Sequence, residues 1–191
     1  ITPYYNKPTQ EGLYQHYKAI ANSVEIPFMM YNVPGRTGVD LDANTTIRLF
    51  DDVKNIYGVK EATGSLERAI CLLSQRKDFI VVSGDDAIDF PMLANGAKGI
   101  ISVTANLLPN LKSQLVNSVF KGDLEKARQI NEDLYSLNSV LFCESNPIPI
   151  KAAMYLAGLL DTLEYRLPLT APSMETMKKL EKTLEKYEVI K

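Results

Sequence analysis

Hydrophobic residues along the chain are concentrated in short, continuous runs. These runs do not alternate with polar residues, as expected of parallel strands that are covered on both faces. They also lie at similar intervals, which is typical of a repeated strand–helix unit. The pattern predicts buried strands over residues 26–33, 56–60, 79–83 and 99–103.

Segments with apolar residues at helical spacing separate the strands. They predict helices over residues 12–23, 44–50, 66–76 and 87–95, and after the last strand over 107–120, 124–142, 151–159 and 173–187, with residues 146–150 leading into the helix that Lys151 opens. Ser65 is a candidate N-cap and Gly96 a candidate C-cap. Residues 34–38 are interpreted as a loop, and Ile1 to Pro3 as the end of a further strand.

Repeated strand–helix units of this size are typical of a (β/α)8 barrel or a doubly wound sheet. The chain holds about five strands if the stub at Ile1 is counted, whereas a complete barrel has eight strands and about 250 residues. The chain also begins without a methionine. We therefore expect further strand–helix units to precede Ile1 in a longer protein.

Composition is that of an ordinary globular protein, with 191 residues, 46% of them apolar, and a formal net charge of -2. The charge balance argues against nucleic acid or an anionic membrane as a partner, and no apolar run approaches the ~20 residues of a membrane span. Cys71 and Cys143 lie far apart without metal-ligand spacing. We interpret them as reduced, buried thiols of a cytoplasmic protein.

Lys60 stands at the last position of a predicted strand. Burial there would disfavour its charged form, and a neutral lysine amine can form a Schiff base with a carbonyl substrate. The alternative is that the side chain leaves the strand and points to water. Polar residues gather at the carboxyl ends of the strands, where barrel enzymes carry their active sites: Tyr4, Tyr5, Tyr31, Asn32, Lys60, Ser83 to Asp86, Ser102 and Thr104. Because polar residues gather at the strand ends and not at the strand starts, the interpretation of Lys60 as a nucleophile is favoured.

Tyr31 ends the preceding strand, so that its phenol could move protons at a carbonyl or imine carbon. The alternative is a core aromatic residue with a satisfied hydroxyl. Arg36 follows in a Pro-Gly loop, where it could hold a substrate carboxylate through two hydrogen bonds or be an ordinary surface arginine. Tyr4 and Tyr5 are candidates for interface aromatics.

Other polar residues receive a structural interpretation. His16 lies in the first helix without a partner, and Lys151 lies outside the strand-end set, so packing or surface roles are expected. Asp85 and Asp86 lack the further ligands of a metal site, and we expect them to cap the following helix.

Five motifs resemble those of the 4-hydroxy-tetrahydrodipicolinate synthase (dihydrodipicolinate synthase) family, and the likeness extends over all 191 residues. This family lies within the wider class I pyruvate aldolases, which include N-acetylneuraminate lyase. The residues after the tyrosine motif, Arg36-Thr37-Gly38, are more typical of the synthase than of the lyase. The motifs are Thr2-Pro3-Tyr4-Tyr5-Asn6, Tyr31-Asn32-Val33-Pro34-Gly35-Arg36-Thr37-Gly38, Gly58-Val59-Lys60-Glu61-Ala62-Thr63-Gly64, Ser83-Gly84-Asp85-Asp86 and Ile101-Ser102-Val103-Thr104-Ala105-Asn106.

The resemblance implies the C-terminal part of a (β/α)8 TIM barrel, from the end of strand 4, followed by a C-terminal helical extension. The expected division is residues 1–121 for the barrel part and 122–191 for the extension. The implied activity is a lyase that condenses pyruvate with L-aspartate 4-semialdehyde in the diaminopimelate route to lysine. The implied assembly is a homotetramer, with L-lysine as an inhibitor and no metal or organic cofactor. Alternatives are another pyruvate aldolase, such as N-acetylneuraminate lyase, or an inactive truncated barrel.

Residue roles follow from the same resemblance. Lys60 would form the imine with pyruvate, Tyr31 would transfer protons, and Arg36 would hold the semialdehyde's carboxylate. Tyr5 would reach into a neighbouring subunit's site, and Tyr4 would lie at the same interface, near the lysine inhibitor. The backbones of Gly84 and Ile101 would line the pyruvate pocket.

One departure from the family is that its paired threonines, which bind the pyruvate carboxylate, have no counterpart in the sequence from Ile1 onward. A barrel that lacks strands exposes an open edge and its core. We therefore expect these 191 residues alone to be aggregation-prone and inactive.

Overall fold

A parallel sheet is the frame of the first half of the chain. In a computed structural model, which describes residues 1–189, its strands lie in the order β1-β2-β3-β4. Each strand bonds to the next one in sequence, all in parallel. This is the order found in a barrel, whereas a doubly wound sheet reverses its order at a switch point. The strands are β1 Phe28–Asn32, β2 Ile56–Glu61, β3 Ile80–Ser83 and β4 Gly99–Ile100.

Helices cover this sheet and complete a hydrophobic core. They are α1 Gln10–Asn22, α2 Pro34–Thr37, α3 Ala43–Asp52, α4 Leu66–Gln75 and α5 Asp89–Ala94. Fully buried side chains of the strands, such as Met30, Val59 and Val81, pack in one cluster with helical residues such as Leu13 and Leu72. The continuous apolar runs of the sequence are explained by this burial.

Side-chain caps set the starts of several helices. Ser65 accepts a hydrogen bond from the Arg68 N–H at 3.2 Å, as the sequence predicts for α4. Asp42 caps α3 in the same way, at 2.6 Å from the Thr45 nitrogen. After α5, Gly96 has a φ of 109°, a left-handed conformation that glycine adopts readily at the end of a helix.

Residues 34–38 are not the loop predicted from sequence, because Pro34 to Thr37 form one helical turn, α2. Pro34 stands at the start of this turn, where its missing N–H costs nothing. Gly38, with a φ of 65°, closes the turn through a hydrogen bond from its N–H to the Pro34 carbonyl. The turn fixes the place of Arg36.

Two further predictions at element ends are wrong. Residues 1–3 form no strand within the described part of the chain, because they make no ladder hydrogen bonds to β1, the edge strand of the sheet. The helix predicted over 87–95 begins at Asp89, with Ile88 as an N-cap that makes no side-chain hydrogen bond. Asp85 and Asp86 therefore do not cap it. Instead, Asp85 Oδ1 accepts a hydrogen bond from the Ala87 N–H at 3.0 Å.

The chain divides into two compact units, Ile1–Ile101 and Ser102–Lys191. The second is helical as predicted, with apolar side chains such as Leu134, Leu137 and Leu180 fully buried. The predicted division between residues 121 and 122 stays a prediction. Within the described residues, the helices of this unit are α6 Pro109–Phe120, α7 Leu124–Val140, α8 Ile148–Leu156 and α9 Met174–Leu184, with 3-10 turns at Thr104–Asn106 and Glu185–Tyr187.

Both cysteines are free, as the sequence predicts, and Cys71 is partly buried. The expectation that both are buried is wrong for Cys143, which is exposed. Cys143 lies after the end of α7. The helical spacing that turns apolar residues of α7 toward the core therefore does not apply to it.

Candidate active site

Lys60 and Tyr31 face each other at the carboxyl ends of β2 and β1. The parallel register pairs the two residues directly, which sends their side chains to the same face of the sheet. The Lys60 Nζ lies 4.3 Å from the centroid of the Tyr31 ring. Both side chains are partly buried. The lysine is therefore neither sealed in the core nor free in water, and the phenol is close to it.

Gly84 provides the space that the lysine side chain occupies. It follows β3, and its N–H donates to the Glu61 carbonyl at 2.8 Å. A Cβ added at residue 84 would lie 2.7 Å from Lys60 Cε and 2.9 Å from Ala62 Cβ. Side-chain carbons do not approach so closely, so a residue larger than glycine would displace the lysine.

Partial burial controls the protonation of the amine. Removal from water lowers the pKa of Lys60, the negative charge of Asp86 opposes this effect, and the positive charge of Arg36 assists it. The Nζ makes no hydrogen bond or ion pair among residues 1–189. A larger fraction of this amine is therefore neutral near pH 7 than of an ordinary lysine.

The phenol responds in the opposite direction. Burial raises the pKa of Tyr31, and the nearby charge of Arg36 partly offsets the effect. Tyr31 is therefore a protonated phenol at neutral pH, able to donate a proton or a hydrogen bond.

Arg36 is exposed on α2, and its charge acts on both Lys60 and Tyr31. The helical turn thus holds a guanidinium near enough for its charge to act on the pair. An exposed guanidinium beside an amine and a phenol suits a substrate that carries a carboxylate.

Asp86 is a residue of this site that sequence reasoning assigned to helix capping. Its side chain is 1% exposed, and its negative charge favours the protonated form of Lys60. The available signal was its place directly after a strand end, where barrel enzymes carry their polar groups.

The remaining predicted site residues, Ile101, Tyr4 and Tyr5, make no hydrogen bond with either member of the lysine–tyrosine pair in the described chain. The Ile101 N–H donates to the Ser83 carbonyl at 2.8 Å, which extends the pairing of β3 and β4 by one residue. Tyr4 and Tyr5 are 64% and 94% exposed. Neither makes a hydrogen bond or ring contact with Lys60 in the described chain.

Lys151, the second candidate amine, is already hydrogen-bonded within the described chain. It lies on α8, donates a hydrogen bond to the Glu164 carbonyl, and stands 4.9 Å from the centre of the Tyr165 ring. His16 is exposed on α1.

The described residues form neither a metal site nor a membrane span. Among residues 1–189, no three His, Cys, Asp or Glu side chains lie close enough together to hold a metal ion. In the same residues, every helix is too short or too polar to cross a bilayer.

Comparison with known proteins agrees with the resemblance seen in the sequence. The model of the dihydrodipicolinate synthetase family matches residues 1–187. The 4-hydroxy-tetrahydrodipicolinate synthase of Aliarcobacter butzleri (strain RM4018) is 78% identical over 191 residues, which are 100% of this chain and 65% of that protein. The chain thus spans less than two thirds of this relative's length.

Solved structures give the same result. The crystal structure of the chloride-inhibited dihydrodipicolinate synthase from Acinetobacter baumannii, complexed with pyruvate, superposes with a TM-score of 0.95 at 47% identity. The superposition covers 99% of this chain and 65% of the Acinetobacter baumannii chain. The enzyme from Cyanidioschyzon merolae, crystallised with lysine bound, gives a TM-score of 0.93 at 36% identity over 99% of this chain and 64% of that one.

These neighbours confirm the predicted fold class, part of a (β/α)8 barrel followed by helices. The family model covers nearly the whole chain, and the relative from Aliarcobacter butzleri is identical to it at more than three quarters of this chain's 191 residues. The chain belongs to the dihydrodipicolinate synthetase family.

Proposed function

We propose that this chain carries the imine-forming centre of a lyase that condenses pyruvate with L-aspartate 4-semialdehyde to 4-hydroxy-tetrahydrodipicolinate, in the diaminopimelate route to lysine. The observation that carries the proposal is the Lys60 amine, 4.3 Å from the Tyr31 ring and partly withdrawn from water. The activity that names the relative from Aliarcobacter butzleri supports the same reaction.

Lys60 would act as the nucleophile. Its neutral amine adds to the keto carbon of pyruvate and, with loss of one water, gives an imine. The imine withdraws electrons, so the methyl carbon loses a proton and becomes an enamine carbon. That carbon forms a new bond to the aldehyde carbon of the second substrate, as the aldehyde C=O π bond opens and its oxygen takes up a proton to become a hydroxyl group. The product's own amine then closes the ring by attacking the imine carbon, and the lysine leaves as a free amine.

Tyr31 would transfer protons in this sequence. Its raised pKa keeps the phenol protonated, so it can give a proton to the departing hydroxyl when the imine forms and then accept one from the methyl carbon. A hydrogen bond or a bound water would have to link the phenol to these atoms.

Arg36 would bind the carboxylate of the semialdehyde. Its guanidinium is exposed and close enough for its charge to influence both Lys60 and Tyr31. An arginine in this position can hold a carboxylate through two parallel hydrogen bonds.

The other predicted residues would complete the site. The backbones of Gly84 and Ile101 would line the pyruvate pocket. Tyr5 would enter a neighbouring subunit's site in a homotetramer, with Tyr4 at the same interface. The exposure of both tyrosines in one chain is compatible with such a contact.

The wider context is proposed from the family. Residues 1–121 would supply the barrel part and residues 122–191 the helical extension of a cytoplasmic enzyme. The lysine bound to the Cyanidioschyzon merolae enzyme supports L-lysine as a ligand, and L-lysine would act as an inhibitor near Tyr4.

Borohydride reduction tests the proposal directly. The intact protein is incubated with pyruvate and borohydride, digested, and analysed by mass spectrometry. We expect a stable adduct on the peptide that contains Lys60. Lys60→Arg should abolish it, whereas Lys151→Arg should retain it, because the Lys151 amine is held by the Glu164 carbonyl. Absence of the adduct from the unsubstituted protein would favour a non-catalytic barrel.

A substrate comparison tests the second half-reaction. Pyruvate consumption should depend on L-aspartate 4-semialdehyde. Release of pyruvate from N-acetylneuraminate instead would assign the site to the related lyase.

A further inference from the structure

The carboxyl ends of β1 and β2 carry two layers of paired side chains. Tyr31 and Lys60 form one pair, and the next residues, Asn32 and Glu61, are also direct partners in the register. Successive residues of a strand point to opposite faces. The second pair therefore lies behind the first, on the other face of the same two strands.

This second pair is buried and hydrogen-bonded. Asn32 is 0% and Glu61 2% exposed. The Asn32 amide donates to Glu61 Oε2 at 3.4 Å, and Glu61 Oε1 accepts from the Thr63 N–H at 2.9 Å. The pair thus joins the last residue of β1, the last residue of β2 and the turn that follows β2.

Further hydrogen bonds extend this pair to the segment between α2 and α3. The Asn32 amide also donates to Asp40 Oδ1 at 2.8 Å, and its oxygen accepts from the Leu41 N–H at 3.0 Å. Arg68, on α4, binds Asp40 Oδ2 at 2.6 Å and the Leu41 carbonyl at 2.7 Å. Because Arg36 lies between residues 32 and 40, the network holds both ends of the segment that carries it.

Such a network is a costly way to fill space. Burial raises the pKa of Glu61, and the hydrogen bonds from Thr63 and Asn32 and the charge of Arg68 only oppose that effect. In buried ion pairs, apolar side chains of similar volume often stabilise the position as well or better. What a fully bonded polar network adds is one defined geometry.

We propose that Asn32 and Glu61 are positioning residues that set the place of the Lys60 amine relative to the Tyr31 ring and to α2. The inference rests on the proposed function of Lys60. It adds to that function a rigid support on the far face of the strands. From there, neither Asn32 nor Glu61 touches the substrate. Misplacement of a reacting group by 1 Å can cost about 100-fold in rate.

The test compares Glu61→Ala with a matched loss of hydrogen bonds at the other end of β2. Asn55, just before β2, donates to the carbonyls of Ala21, Val24 and Ile26 at 2.8 to 3.1 Å. Asn55→Ala should lower thermal stability and leave the kinetics unchanged. Glu61→Ala should also slow formation of the pyruvate imine by about 10- to 100-fold.

Two further readouts separate positioning from mere stability. If Glu61→Ala lets the Lys60 side chain move out of its partly buried place, the amine regains water and the pH midpoint of imine formation should move up toward that of an ordinary lysine. Glu61→Gln, which keeps an acceptor for the Thr63 N–H, should restore most of the rate. Arg68→Lys, which loses the two-point grip on Asp40 and Leu41, should give a smaller loss in the same direction.

All variants are made in the intact protein. If Glu61→Ala and Arg68→Lys lose stability but keep the rate and the pH midpoint of the unsubstituted protein, the positioning role is wrong. If Glu61→Ala does not fold, Arg68→Lys and Glu61→Gln decide by the same measurements. Failure of the unsubstituted protein to form any adduct at Lys60 would instead overturn the proposed function.

Discussion

Two lysine–tyrosine pairs in this chain have similar geometry and different chemistry. The Lys60 Nζ lies 4.3 Å from the Tyr31 ring centre, and the Lys151 Nζ lies 4.9 Å from that of Tyr165. Lys151 donates to the Glu164 carbonyl, whereas Lys60 makes no hydrogen bond within residues 1–189. The comparison shows that the same ring contact occurs with a hydrogen-bonded amine and with an amine that makes no hydrogen bond among these residues.

What separates the pairs is how far their polar atoms are already satisfied. The Tyr165 hydroxyl donates to the Ile148 carbonyl at 2.9 Å, so that both members of its pair are bonded to backbone. An amine that has lost water without gaining a hydrogen bond is easier to deprotonate. A bonded amine instead ties two segments together. The first arrangement suits catalysis, and the second suits stability.

Removal of the phenol hydroxyl from Tyr31 or from Tyr165 should give the largest difference in kcat between the two pairs. In the intact protein, Tyr31→Phe removes a proton donor and should lower kcat by about 100- to 10,000-fold. Tyr165→Phe removes one hydrogen bond to backbone, which costs about 1 kcal/mol of unfolding free energy, and should leave kcat unchanged. Steady-state kinetics and urea unfolding of both variants give the comparison, and an equal fall in kcat for both would contradict it.

Filling the space beside Lys60 should have the next largest effect. Gly84→Ala places a Cβ 2.7 Å from Lys60 Cε, and the displaced amine should form the pyruvate imine about 100-fold more slowly. Gly99→Ala, on β4, is the control, because its Cβ would meet its nearest neighbour, Val82 Cγ1, at an ordinary 3.7 Å. A Gly84→Ala protein with unchanged trapping kinetics would show that the lysine does not need this space.

Charge substitutions should shift the pH dependence of imine formation in opposite directions. Asp86 raises and Arg36 lowers the pKa of Lys60. Asp86→Asn should therefore move the midpoint to lower pH, and Arg36→Gln should move it to higher pH. Asp51, whose carboxylate is paired with Arg76 at 2.5 Å, provides the control Asp51→Asn. Trapping rates measured across the alkaline range test these signs, and shifts in the same direction would refute the assignment.

The smallest effects concern stability. Lys151→Met loses the bond to the Glu164 carbonyl and the ring contact, which should lower the unfolding free energy by about 1 kcal/mol. Lys60→Met should raise it at pH 7, because the folded state binds the lysine's proton less firmly than the unfolded state does. This gain is full below the lowered pKa of Lys60 and disappears as the pH rises toward about 10.4, the ordinary value.

Urea unfolding of both lysine variants at pH 7 and at pH 10 measures these differences. A loss of stability in Lys60→Met as large as that in Lys151→Met would mean that the two lysines have the same structural role.

The sequence by itself determined the strands, most of the helices and the residues at the strand ends. Its continuous apolar runs predicted β1 to β4, and the polar residues that follow them included Tyr31 and Lys60. Hydrophobic periodicity and capping are local properties that a sequence carries directly. The helical turn that contains Arg36 was missed, although Pro34 and Gly38 are its start and stop signals.

Only the tertiary structure decided which of these residues meet. The register that opposes Tyr31 to Lys60 and Asn32 to Glu61 depends on how separate strands pair, and no local pattern specifies it. The tight fit of Gly84 against the lysine likewise arises from a contact between β2 and the residue that follows β3. From the sequence, Asp86 was interpreted as a helix cap. Its burial and the effect of its charge on Lys60 result from packing between residues that are distant in the sequence, so no local pattern shows them.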